Sequence, residues 1–183
     1  MCSKSPVPNR FYFRLKWSPM SLDQANSPHY NTINPFLLIK GGALAFIDFV
    51  VFVFDGIENK GVRTPDRDGS IIHAEIQVGD AMLLIADSKN DWPFTPAFLQ
   101  VYVEDIQGTL NRALTHGATL ITDVSPFYNK LKMARIKDPW GNLWWIYEKT
   151  DGSEESSNAS DLGWHHRDPS YIYSSLMEAM RNL

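Results

Sequence analysis

The hydrophobic and polar positions of this chain change period several times, and each change marks an element. Ile72, Ala74, Ile76 and Val78 alternate with His73, Glu75 and Gln77, the period of a half-buried β-strand. Val78-Gly79-Asp80-Ala81 predicts a hairpin turn, and Met82 to Ala86 the returning strand. Upstream, Phe36 to Lys40 predicts a short strand and Gly41-Gly42 a turn. Leu44, Ile47, Val51 and Phe54 then recur at helical spacing, so Ala43 to Phe54 predicts a helix. Propensity alone also suits a strand over Phe49 to Phe54, because that stretch is β-branched and aromatic. Asp55-Gly56 stops the element, and Arg63 to Ser70 is turn-rich.

The same order then returns. Phe98 to Glu104 predicts a strand. Asp105 is a good N-cap for a helix from Ile106 to Thr115, with Leu110, Ala113 and Leu114 on one face. His116-Gly117 ends the helix. Ala118 to Asp123 predicts a strand, Ser125 to Asn129 a loop and Leu131 to Lys137 a strand. Asp138 to Glu148 reads as a turn built on Pro139 and Gly141, followed by a strand ending at Lys149. Phe36 corresponds to Phe98 and Glu75 to Arg135, an offset of about sixty residues. Such repetition marks a duplicated unit that cannot close its core alone. The expected organisation is a main domain over 34–149, with modules at 34–90 and 97–149. Residues 1–33 form an N-terminal arm containing a period-two stretch from Phe11 to Trp17. Residues 150–183 form a polar linker and a C-terminal helix, capped by Asp168 with Pro169 at its first position. Ile172, Leu176, Met177 and Met180 give that helix an apolar stripe that must bury itself somewhere.

Composition narrows the classes. A chain of 183 residues with 44% apolar content supports a sizeable core. Net charge is −4 with no basic stripe, so no nucleic-acid partner is expected. No apolar run approaches the ~18 residues of a membrane span, so no membrane partner is expected either. Arg10, Arg14 and Lys16 interrupt any apolar leader, and Cys2 is the only cysteine, so a cytoplasmic protein without intrachain disulfides is expected.

The turn Asp138-Pro139-Trp140-Gly141-Asn142 leading into a strand resembles the closing hairpin of a module in the vicinal oxygen chelate superfamily. This superfamily includes glyoxalase I, extradiol dioxygenases, fosfomycin-resistance enzymes and bleomycin-resistance proteins. Val101-Tyr102-Val103-Glu104-Asp105, followed by a helix and His116-Gly117-Ala118, is similar to the start of its second module. Phe46-Ile47-Asp48-Phe49 resembles the first-module helix of the bleomycin-resistance-like branch. The resemblance covers roughly Asn34 to Lys149. It implies an α+β fold in which two βαβββ modules form a half-closed mixed barrel. Helices would cover the convex face and a ligand would occupy the concave cavity.

It also implies where a metal would sit in the metal-using members, on the first and last strands of the modules. Here those positions fall at Phe98 and Trp145 in the second module, and near Asn34, Phe36 and Leu38 in the first. On the returning strand of the first module the position falls at Leu83, with Asp87 further along. Apolar side chains offer no N, O or S donor. No metal and no other cofactor is therefore expected. His73 and Glu75 share one strand face and can act as a metal pair or as base and acid. They supply two donors without a third, so lining a polar pocket is the simpler role.

By strand parity, Gln100, Tyr102, Arg135, Trp145 and Tyr147 join His73 and Glu75 on the inner face. Such a set of rings and polar groups suits a small aromatic or amphipathic molecule. Trp144 and Trp145 face opposite sides, so one of them belongs to the core. The leading expectation is a metal-free binding protein for such a molecule. The expected state is a homodimer, since a closed two-fold pair is the commonest oligomer. The alternatives are a metal-dependent lyase or dioxygenase using His73 and Glu75, or a regulatory protein that docks through its C-terminal helix.

Overall fold

Each half of the repeat folds into a strand, a helix and an antiparallel sheet that returns beside the first strand. The computed structural model describes residues 30–128, 131–149 and 170–183. The first half contains β1 (Phe36–Ile39), α1 (Ala43–Phe54), β2 (Ile57–Glu58), β3 (Thr64–Pro65), β4 (Ile71–Val78) and β5 (Ala81–Asp87). The second contains β6 (Phe98–Val103), α2 (Ile106–Thr115), β7 (Thr119–Phe127), β8 (Leu131–Lys137) and β9 (Leu143–Lys149). A third helix, α3 (Tyr171–Arg181), follows. Strand order is β1-β5-β4-β2 in one sheet, with β3 also on β4, and β6-β9-β8-β7 in the other. The outer strands β1 and β6 run parallel to β5 and β9, and the remaining pairs are antiparallel. The fold is α+β, with two such modules and a half-open arrangement of their sheets.

The region from Ala43 is helical although its propensity suits a strand. Gly41 and Gly42 take φ of 93° and 128°, a backbone turn that an L side chain rarely adopts. The Asp87 carboxylate accepts a hydrogen bond from Ala43 N at 2.7 Å and caps the helix start. Phe46, Ile47, Val50 and Val53 then bury themselves almost completely against Ala74, Ile76 and Ile85. Burial of that face decides in favour of helix over a marginal local preference. In α2, Asp105 caps as expected, accepting from Gly108 N at 2.9 Å.

The modules meet through their helices and a cluster of rings. Arg112 Nη2 donates to Val53 O at 3.0 Å. Phe54 stacks on Trp144 with centroids 4.4 Å apart, and Phe46 meets Trp140 edge-on at 5.4 Å. One continuous apolar cluster contains residues of both halves. Beneath it, Asp138 organises the turn before β9. Its Oδ1 accepts from the backbone N–H groups of Trp140 and Asn142. Its Oδ2 accepts from Asn142 Nδ2 and Trp144 Nε1. Gly141 there has φ of 88°, and a Cβ would lie 2.7 Å from the Phe94 ring.

Ile72 was expected on the core face with Ala74 and Ile76, but it is 47% exposed while Ile71 is buried. Thr64 pairs with His73 and Pro65 with Ile71, so Ile72 is the extra residue of a bulge and loses its inward position. Leu83 was expected on the inner face, but it pairs with Ile76 and lies in the core cluster. Leu84, opposite Glu75, takes the inner place. Strand β7 continues through Phe127, past the loop expected from Ser125. The C-terminal helix is capped by Ser170, whose side chain accepts from Tyr173 N, rather than by Asp168. Asp168, Pro169 and the Phe11 to Trp17 stretch lie outside the described residues. Met180 is exposed, and Ala179 is the residue of α3 that becomes buried. No helix among the described residues is long and apolar enough to cross a membrane.

Candidate functional site

Side chains alternate along a strand, so each sheet has one face toward α1 and α2 and one open face. On β9, Trp144 and Ile146 enter the core with Ile106, Leu110 and Ala113 of α2. Trp145 and Tyr147 therefore occupy the open face, opposite Arg135 and Met133 of β8. Gln100 and Tyr102 of β6 lie beside Trp145 and Tyr147.

These five residues come together. Gln100 Nε2 donates to the Tyr102 hydroxyl at 3.0 Å. Tyr102 stacks on Tyr147 with centroids 5.4 Å apart, and Phe98 meets Trp145 edge-on at 6.1 Å. The Arg135 guanidinium lies over the Trp145 ring, 5.1 Å from its centroid, within the reach of a cation–π contact. Tyr102 remains 64% exposed, while Arg135 is only 5% exposed. Burial pushes the Tyr147 hydroxyl above its ordinary pKa, and the nearby Arg135 charge only partly counters this. Tyr147 is therefore a neutral neighbour at physiological pH. Burial also lowers the pKa of the Arg135 guanidinium.

The α3 helix roofs this face. Arg135 Nη1 donates to Ile172 O at 2.7 Å and to Thr122 Oγ1 at 3.2 Å. Thr122 and Ser175 hydroxyls are 2.8 Å apart. The Tyr171 hydroxyl accepts from Asp123 N and donates to Asp123 Oδ2. Lys137 Nζ reaches Asn182 O at 3.4 Å. Thr122 and the α3 residues were not among the expected site residues. Thr122 was accessible to parity arguments only once the β7 register was known, and an amphipathic stripe does not say which surface it covers.

His73 and Glu75 form a separate cluster on the first sheet. His73 Nε2–H donates to Glu75 Oε1 at 3.0 Å, Asn59 Nδ2 donates to Oε2 at 3.2 Å, and the Tyr30 hydroxyl also donates to Oε1. Glu75 is 1% exposed. Burial pushes its carboxyl up, but the three hydrogen bonds outweigh that and hold it below the usual carboxylate value. The same carboxylate raises the Tyr30 hydroxyl. None of the hydrogen bonds, ion pairs or ring contacts among the described residues joins this pair to the five residues of the second sheet.

An open cleft of about 690 Å³ lies between the modules, along the free edge of β6 and facing the β4–β5 turn. Gln100 and Tyr102 border it together with Arg112 and Asp80. The sequence alone does not reveal this cleft, because its walls come from both halves and depend on how they pack.

A divalent ion would need several N, O or S donors converging on one point. Phe98 and Trp145 hold the second-sheet positions where the superfamily places ligands, and a guanidinium sits over Trp145. Asp87 is committed to Ala43 N and Ile71 N. Among the described residues, no three His, Cys, Asp or Glu side chains converge. The residues present do not fit a metal at those places.

The model of the Glyoxalase/Bleomycin resistance protein/Dioxygenase superfamily matches residues 32–146. An uncharacterized protein of Mycobacterium bovis is 28% identical over 136 residues, covering 68% of this chain and 83% of the relative. A Mycobacterium tuberculosis protein is equally identical over the same length, with 74% of it covered. A glyoxalase/bleomycin resistance protein/dioxygenase family enzyme from Burkholderia phytofirmans superposes with a TM-score of 0.51 at 19% identity. That superposition covers 64% of this chain and 96% of the enzyme. The fosfomycin resistance protein FosX of Listeria monocytogenes superposes at 0.52 and 12% identity, covering 67% and 96%. Likeness at such identities concerns the fold alone, whereas the family model spans more than half of the chain and includes the Asp138 turn. The chain belongs to the Glyoxalase/Bleomycin resistance protein/Dioxygenase superfamily.

Proposed function

We propose that this chain binds a small aromatic or amphipathic molecule on the open face of the second sheet, without the metal site usual in its superfamily. The observation that carries this reading is the grouping of Arg135, Trp145, Tyr102 and Tyr147. Rings supply apolar stacking area, and the guanidinium and hydroxyls supply orientation. A guanidinium at the centre of the face disfavours a bound cation there. Homodimerisation would extend the face with a second copy, and a cytoplasmic setting without nucleic-acid or membrane partners completes the reading.

The His73–Glu75 pair supports a second, enzymatic reading. Glu75 fixes the His73 ring through Nε2 and leaves Nδ1 available as a base.

The test is a small-molecule screen by thermal shift and tryptophan fluorescence, with and without divalent metals. Hits should alter tryptophan emission in the natural protein and lose that effect in a folded Trp145→Phe variant. Unchanged affinity in a folded Trp145→Ala variant, which removes the stacking ring, would move the site off the second sheet. One equivalent of Zn, Ni, Fe or Mn by elemental analysis, lost in His73→Ala, would replace the binding reading with the enzymatic one.

A further inference from the structure

We propose that Arg135 receives an oxyanion, a carboxylate or phosphonate-type group, carried by the molecule that the second sheet binds. The inference rests on the binding reading above and names the chemistry of that ligand. Arg135 lies on β8, the third strand of its sheet, and is 95% withdrawn from solvent by its exposure of 5%. A guanidinium carries five N–H donors and keeps its charge. Its acceptors here are Ile172 O and Thr122 Oγ1, both neutral and both on Nη1. Its Nε is buried without any acceptor. No carboxylate among the described residues forms an ion pair with it. Buried charges are normally paired, because an uncompensated ion in a protein interior is strongly destabilising. The chain therefore holds a cation in place and leaves its counter-charge to be supplied.

The surroundings favour one sign and one shape. Lys137 shares the open face of β8, two residues along. The nearest acid of β7, Asp123, is held by the Tyr171 hydroxyl. Tyr147 stays protonated and adds no negative charge. Trp145 covers one plane of the guanidinium, so the planar N–H edge is what remains to be used. A planar N–H edge matches the two oxygens of a carboxylate or one face of a phosphonate. Trp145 itself offers the stacking surface for a ring attached to that group.

The α3 helix holds the place of the anion. Ile172 O takes the strongest hydrogen bond of Arg135, and the Thr122–Ser175 hydroxyl pair sits beside it. A carbonyl satisfies one N–H but not the charge. An oxyanion would satisfy both, displace Ile172 O and loosen α3, whose only buried residue is Ala179. Glu75 on the first sheet shows the contrast. It has three donors within the chain and needs no ligand.

The test uses the full-length ¹⁵N-labelled protein with benzoate, phenylphosphonate and the neutral isostere benzamide as probes. The Arg135 Nε–Hε and Trp145 indole resonances, assigned with Arg135→Lys and Trp145→Phe, are followed in each titration. Either anion should shift both resonances saturably and bind at least tenfold tighter than benzamide. Amides of α3 should exchange faster in the anion complex. Arg135→Lys keeps the charge without the fork and should weaken the anions about tenfold, and more than it weakens benzamide. If benzamide binds as tightly as the anions, the oxyanion proposal fails and the binding face stands. If no probe moves the Trp145 indole, the binding reading fails with it. The wild-type comparison of anion and amide decides even if the Arg135 variant does not fold.

Discussion

Two adjacent tryptophans on β9 have opposite fates, and replacing each by phenylalanine tests the architecture. Trp144 is fully buried, stacks on Phe54 at 4.4 Å, and donates its indole N–H to Asp138 Oδ2 at 2.9 Å. Trp144→Phe removes a hydrogen bond to a buried carboxylate, worth about 1.5–3 kcal/mol. It also leaves a cavity where the five-membered ring was, at a cost of about 1 kcal/mol. The expected loss is about 2.5–4 kcal/mol. For a domain of this size that lowers Tm by about 5–16 °C, at about 2–4 °C per kcal/mol. Trp145→Phe keeps a ring under Arg135 and breaks no hydrogen bond, so it should cost less than about 1 kcal/mol. Urea unfolding of both variants, with m compared to the natural protein, separates a change in stability from a change in compactness. Equal losses in the two variants, or a loss below about 1 kcal/mol in Trp144→Phe, would refute the assignment of Trp144 to the core and of Asp138 as its acceptor.

Two further outcomes follow from the same geometry. Glu75 has a folded pKa below the ordinary carboxylate value, so its ionised form contributes stability above that value and loses it as pH falls through the folded pKa. Glu75→Gln should therefore be less stable than the natural protein at neutral pH, and the gap in Tm should close on acidification; a gap that widens in acid would show the carboxylate to be destabilising. Gly141→Ala places a Cβ at φ of 88° and 2.7 Å from the Phe94 ring, and should cost about 1–3 kcal/mol in urea unfolding.

Most of the order of elements was legible because burial imposed clear periods on the sequence. The strand over His73 and Glu75 with Ala74 and Ile76 on its core face, the Asp105 cap and the Gly79-Asp80 turn all follow from local rules, and the structure keeps them. What was not legible depends on contacts between distant residues. The bulge at Ile72 is set by the short strand β3, which has two residues and little pattern of its own. Asp87 shares the parity of the Leu83 ligand position, yet it caps α1 across the sheet. Pro139 and Gly141 announced the turn before β9, but nothing local announced that Asp138 would accept four hydrogen bonds there. Of the seven expected site residues, the five on β6, β8 and β9 meet because strand pairing aligns them. His73 and Glu75 belong to another sheet, and parity within a strand carries no information about the distance between sheets.

The duplicated halves also explain why the site is unequal. β4 and β8 are each the third strand of their sheet, and each carries one buried charge on its open face, Glu75 and Arg135. A segment flanking the modules covers each charge. Tyr30, ahead of β1, donates to Glu75, and α3, after β9, offers Ile172 O to Arg135. A carboxylate has a few lone pairs, and those of Glu75 are taken by three donors of the chain. A guanidinium has five N–H groups and a charge that one carbonyl and one hydroxyl do not balance. The same architectural device therefore closes the first sheet and leaves the second one wanting an acceptor. A small change of residue, from acid to base at a matching place, is enough to turn a sealed cluster into a receptive one. Under the oxyanion proposal, the open face of the second sheet is where a ligand gains most, and α3, which offers Ile172 O to Arg135, is the element it displaces.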